Sequence, residues 1–466
     1  MVFSSPTFIF LFFPAVFLTC LLARRSVKWS NAVLLIFSLL FYAWGEPVYV
    51  LLMAFTTLVC YICARMIAKG KNVRLSTAVA VIWGIGTLVV FKYTAFLVQS
   101  FNSLTHLAVP VPNIALPVGI SFFTFQAISY VLDVKRGDAE AAASYADVLL
   151  YISLFPQLIA GPIVRYSDVA AEIKQRTVTT EDIAAGLKRF CFGMGKKVLI
   201  ANTLAYTADK VFALDSAAIN APIAWLGAVC YLMQIYFDFS GYSDMAIGLG
   251  RAFGFTFREN FMYPYCAASM QDFWRKWHIS LSTWFKEYVY IPLGGNRRGK
   301  LRTGLNKLIV FLLTGLWHGA SWNFAVWGLY HGAFLMAESY GAFKPARWPK
   351  ALRHIYTLIA VTVGFVIFRA DTLAQAWLII SKMFGGWTFD AALNAQLSLL
   401  LTPLCTAALV ASVFACMPYV SNMASRYTVS RPRFEYAVYF AALALFAVCI
   451  ACLSTASYNP FIYFRF

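Results

Sequence analysis

The chain has 466 residues, 61% hydrophobic and 12% charged, against roughly half and about a quarter in ordinary globular proteins. That composition excludes a soluble enzyme, and no polar block is long enough to fold alone, so residues 1–466 read as one polytopic all-α membrane domain. The net charge of +18 would suit a nucleic-acid binder, but Lys and Arg gather in alternate connections, the positive-inside pattern of a membrane protein. Membrane lipid is therefore the expected surrounding and nucleic acid is not a partner.

A helix needs about 20 apolar residues to cross the hydrocarbon, and apolar stretches recur through the chain to give about 11 to 13 membrane segments, some short enough to be re-entrant. The first, residues 7–23, has no basic residue before it and Arg24, Arg25 and Lys28 after it. It reads as a retained helix, not a signal peptide. Further spans are expected at 31–44, 48–64, 76–91 and 114–132. Arg65, Lys69, Lys71 and Arg74, then Lys344, Arg347, Lys350 and Arg353, then Arg426, Arg431 and Arg433 mark cytoplasmic connections. Connections near Glu46, at 102–113 and at 371–394 are poor in Lys and Arg, which places the N-terminus outside.

The stretch 145–160 ends at Gly161-Pro162, a pair that breaks a helix, and is expected to dip into the membrane and return. The passage QIYFDFSGYSD, from Gln234 to Asp244, places Asp238 and Asp244 near a membrane boundary. Six residues apart on a continuous helix, they point away from one another and make a poor carboxylate pair.

From Met270 to Arg302 aromatic and basic residues are mixed. Trp274, Trp277, His278, Leu281, Trp284, Phe285 and Tyr288 recur at steps of three and four, predicting a helix with one aromatic face. Such a helix suits the headgroup zone, with Arg275, Lys276 and Lys286 on lipid phosphates; it can equally be a wall of an active site. Gly294 and Gly295 precede Arg297, Arg298, Lys300 and Arg302. They can offer backbone amides to a phosphate, or simply form a turn beside orienting charges.

Among the histidines, His106 and His354 sit beside polar connections. His318, in GLWHGASW, lies in an apolar span, where an ionisable side chain is a functional suspect. An imidazole with an unperturbed pKa near 6.5 stays neutral there at little cost and can accept a proton. The competing explanation is a core histidine hydrogen-bonded to a neighbouring helix. His331, thirteen residues further, would lie roughly 20 Å away on one straight helix, outside the reaction centre. The ten cysteines fall mostly in apolar spans, and Cys60 and Cys63 have no second pair at metal-ligand spacing, so they read as packing residues with no metal site.

Several passages together resemble the membrane-bound O-acyltransferase family, in its bacterial polysaccharide-acetylating branch. They are MVFSS and FYAW near the N-terminus, LPVGISFFTFQAISYVLDVKRG from Leu116, QIYFDFSGYSDMAIGLG from Gln234, FWRKWHISLSTWFKEYVYIPLGGNRRG from Phe273 and GLWHGASWNFAVWGLYHG ending at Gly332. The resemblance implies a ring of helices with a thinned centre and a tunnel, His318 as the catalytic histidine, and His278 at a second position usually held by His or Asn. It further implies a structural or tunnel-lining role for Asp238, Ser240, Tyr242 and Asp244, which with Trp317 are the candidate substrate-binding residues. Arg297 and Arg298 then suit a polyanionic donor.

On this reading the chain binds no cofactor. Acetyl-CoA is its acyl-donor substrate, a polysaccharide such as alginate, cellulose or peptidoglycan is the acceptor, and a partner acetyltransferase works outside the bacterial inner membrane. Two alternatives stand beside it: a transporter of acylated precursors, and a D-alanyl transferase of teichoic acid fed by a carrier protein.

Overall fold

The computed structural model describes residues 1–430, 433–455 and 458–462, and every regular element within them is helical. Among the described residues, five helices are long and apolar enough to cross a bilayer: Tyr49–Ala68, Val73–Thr105, Ala221–Ala252, Lys350–Arg369 and Arg433–Thr455. Ala391–Leu400 and Pro403–Ala415, bent by 64° at a short break, make a sixth if taken as one span. Other apolar stretches form shorter or interrupted helices. The stretch expected to dip and return divides into Tyr145–Ser153 and Phe155–Leu158, with Leu154 outside helical geometry between them.

Burial separates two kinds of long helix. The apolar window of Ala221–Ala252 is 83% buried, that of Arg433–Thr455 only 11%. Lipid tails are as apolar as leucine, so a helix is drawn inside by close packing and polar contacts, and only the first carries enough of either.

Contacts divide the chain into two compact units, residues 1–190 with 243–259, and 191–242 with 260–466. In the first, the rings of Phe8, Phe12, Phe41 and Phe155 pack with centroids 5.3–6.3 Å apart, giving the N-terminal helix a buried face. Arg189 binds Asp244 at 2.7 Å and Glu259 at 2.6 Å.

The second unit holds the core that includes Ile223, Tyr231, Phe237, Phe273, Trp277, Trp327 and Phe365. Two of its features position the site. Helix Gly299–His318 ends at the histidine, Gly319 is extended, and Trp322–Tyr340 runs back along it. Gly315 faces the carbonyl of Phe324, and Gly328 faces that of Phe311, so closely that a Cβ on either glycine would collide with backbone. Small residues of this kind let membrane helices approach backbone to backbone. The reversal shortens the straight-helix distance to His331, since the Trp327 ring lies 5.3 Å from that of His318 and 4.8 Å from that of His331.

The second feature is a broken aromatic segment where one continuous helix was expected. Met270–Lys276 is followed by extended Trp277, by His278 at φ 44°, and by Ile279–Phe285. The break has a hydrogen-bond cause: Met262 N–H donates to the Lys276 carbonyl, and Ile279 N–H to that of Asn260. These groups would otherwise serve the helix ladder. Trp274, Trp277, Leu281, Trp284, Phe285 and Tyr288 are all buried, so the segment is an internal wall and not a headgroup anchor.

Candidate active site

The broken segment and the helix reversal bring His278 and His318 into the lining of one small cavity. Their ring centroids are 6.5 Å apart. The backbone achieves this differently for each: His318 is the last residue of a helix, while His278 sits in the left-handed region just before one. Non-glycine residues are uncommon in that conformation, and where held there they cluster at functional sites.

The walls are aromatic. Phe239 lies 4.6 Å from the His278 ring edge-on, while Trp327 and Phe368 lie 5.3 and 5.1 Å from His318. Trp317 is not among the lining residues but packs behind both imidazoles, 6.1 Å from His278 and 4.9 Å from His318. His278 is 1% exposed and His318 8%, so a reactant meets them through the cavity.

Asn260 is the residue that sequence reasoning missed. Fully buried, it has its Oδ1 at 3.2 Å from His278 Nδ1 and accepts from the Ser280 backbone N–H at 3.2 Å and the Ser280 hydroxyl at 2.9 Å. It lies in a loop eighteen positions before the histidine, and no periodicity links the two.

The passage at 238–244 does other work. Asp238 pairs with Lys197 at 2.7 Å and accepts the Ile462 N–H at 2.8 Å. Lys197 also donates to the carbonyl of Pro460, and Ile462 lines the cavity, so Asp238 acts on the site through the backbone of 460–462. Tyr242 packs against Phe461 with tilted rings and centroids 4.8 Å apart, and Ser240 is buried. Neither belongs to the cavity lining. Asp244 belongs to the first unit, on Arg189.

Arg297 and Arg298 are exposed at the opposite end of helix Gly299–His318 from the histidine, about 28 Å away at about 1.5 Å per residue. The glycine amides are committed: Gly294 N–H donates to the Ile291 carbonyl and Gly295 N–H to that of Tyr290. That leaves the turn and excludes the phosphate cradle. Buried Asn306 fixes the turn by donating to the Leu293 and Gly295 carbonyls.

The sequence pattern of the membrane-bound O-acyltransferase family matches residues 42–374, which include both histidines. "Probable alginate O-acetylase AlgI" of Azotobacter vinelandii is 40% identical over 507 residues, covering 100% of both chains. The "Peptidoglycan O-acetyltransferase" of Helicobacter pylori is 36% identical, over 83% of this chain and 80% of its own length. The "Teichoic acid D-alanyltransferase" of Bacillus subtilis is 28% identical, over 56% of this chain and 70% of its own. With these matches, and with helices long and apolar enough to cross a bilayer several times, the chain belongs to the membrane-bound O-acyltransferase family and is a multi-pass membrane O-acyltransferase.

Proposed function

We propose that the chain moves an acetyl group from a cytoplasmic thioester, acetyl-CoA, to a hydroxyl presented from the other face of a bacterial inner membrane. The acetyl group then serves O-acetylation of an extracytoplasmic polysaccharide through a partner acetyltransferase. The observation that carries this reading is the meeting of His278 and His318 in one aromatic cavity. The names of the O-acetylating relatives support the acyl group and the acceptor class.

In the reaction, His318 accepts the proton of the acceptor hydroxyl as its oxygen attacks the thioester carbonyl carbon. A C–O bond forms, the C–S bond breaks, and the leaving thiolate takes the proton back from the imidazolium. His278 orients the reactants, and the aromatic walls keep out water that would hydrolyse the thioester. Exposed Arg297 and Arg298 attract the polyanionic part of the donor from the cytoplasmic side.

Teichoic-acid D-alanylation is the runner-up, and the extent of similarity weighs against it. The O-acetylating relatives align over 83–100% of this chain, the D-alanyl transferases over 54–56%.

The test is purified protein in liposomes, supplied with labelled acetyl-CoA on one side and an oligosaccharide on the other. Ester label on the oligosaccharide, or on an added partner, is expected. Activity only with an aminoacyl carrier protein, or labelled acetyl-CoA crossing unchanged, would overturn the proposal.

A further inference from the structure

The tautomer of His278 is fixed by its neighbours, and it limits what that residue can do. Asn260 Oδ1 receives the backbone N–H of Ser280 at 3.2 Å. A backbone N–H can only donate, so the side-chain atom at that point is the amide oxygen and not its nitrogen. The same oxygen lies 3.2 Å from His278 Nδ1. Two acceptors cannot bond one another, so Nδ1 carries a hydrogen. Ser280 agrees: its hydroxyl donates to Asn260 at 2.9 Å, so toward Nδ1, at 3.5 Å, it presents a lone pair. In a neutral imidazole with hydrogen on Nδ1, Nε2 is a bare acceptor.

Resting on the acyl-transfer reading above, we infer that Asn260 is a positioning residue that holds His278 as the Nδ1–H tautomer, so that His278 receives a hydrogen bond from the acceptor hydroxyl. A neutral ring in this state has no hydrogen on Nε2 to give the thioester oxygen. It therefore aligns the attacking hydroxyl beside His318, whose ring is 6.5 Å away, and does not polarise the carbonyl.

The same loop also sets the backbone. Asn260 accepts Ile279 N–H through its own carbonyl at 2.9 Å, so one residue fixes ring and main chain together. His278 at φ 44° is held in a conformation that is strained for a residue with a Cβ. Such strain persists only where surrounding bonds over-determine the geometry, and the contacts of Asn260 supply them.

The experiment uses the full-length protein in nanodiscs. Asn260→Leu removes the acceptor, and Asn260→Asp keeps one at the same place. Expected for Asn260→Leu is a fall in kcat of about 10-fold or more with the donor KM within about twofold, and for Asn260→Asp recovery of most of that loss. An independent readout is the ¹⁵N spectrum of histidine-labelled wild-type protein, with the His278 signals assigned by loss in His278→Asn. A protonated Nδ1 and bare Nε2 support the inference. An Nε2–H tautomer at His278 overturns it even if Asn260→Leu fails to fold, and so does wild-type kcat in a folded Asn260→Leu protein. Absence of acyl transfer by the wild type would instead remove the reading on which the role rests, leaving the tautomer measurable by itself.

Discussion

Lys197 and Asp238 form an ion pair 2.7 Å long in which neither side chain is more than 3% exposed. The ammonium also reaches Asn202 Oδ1 at 2.8 Å, and the carboxylate takes the Ile462 N–H. Removing one partner of such a pair leaves an uncompensated buried charge, at a cost of about 3 to 5 kcal/mol. Asp238→Ala should therefore strip folded protein from the membrane or lower its thermal midpoint sharply. The paired apolar replacement Lys197→Met with Asp238→Leu should be far milder. Equal damage by both, measured as the thermal midpoint in detergent, would mean that the charge is not the cause.

Substitution of His318 should separate chemistry from folding. A positioned general base contributes about 10²- to 10⁴-fold in rate, so His318→Ala should lose acyl transfer on that scale at unchanged membrane abundance. Single-turnover label transfer is the measurement. A variant with near-normal turnover would remove His318 from its role.

Glycine substitutions probe the hairpin that delivers His318. Gly328→Ala places a methyl against the Phe311 carbonyl and should cost about 1 to 3 kcal/mol, with loss of activity. Gly86→Ala has open space around the new methyl and should be neutral or slightly stabilising. Thermal midpoints of the two variants, measured side by side, give the comparison.

Replacement of Arg297, Arg298, Lys300 and Arg302 by Gln should raise the donor KM and flatten its dependence on salt, with kcat unchanged. Exposed charges act over about a Debye length, roughly 8 Å at physiological salt, and the reacting atoms lie beyond that reach. A fall in kcat at saturating donor would place the loop in the chemistry after all.

The membrane class was legible from composition alone, and His318 from being an ionisable group in an apolar run. Packing against particular partners was not. The periodicity of Trp274 to Tyr288 fits a helix so well that its break is invisible until Asn260 and Met262 take the backbone groups the helix would use. The same blindness overstated the distance from His318 to His331, because a turn through Gly319 brings both rings against Trp327, although His331 is not among the residues lining the cavity. Asp238 and Asp244 were legible as a poor pair, but their cationic partners, Lys197 and Arg189, lie 41 and 55 positions earlier in the chain, beyond any local pattern.

The left-handed backbone at His278 narrows the choice of amino acid there before any chemistry is considered. β-Branched side chains are poorly tolerated in that conformation; glycine, asparagine, aspartate and histidine fare best. Glycine has no side chain to bring to a reactant, and a carboxylate would add a charge in an apolar chamber. Two residue types survive both filters, asparagine and histidine, so the shape of the main chain at one peptide sets the short list from which the active site can be composed.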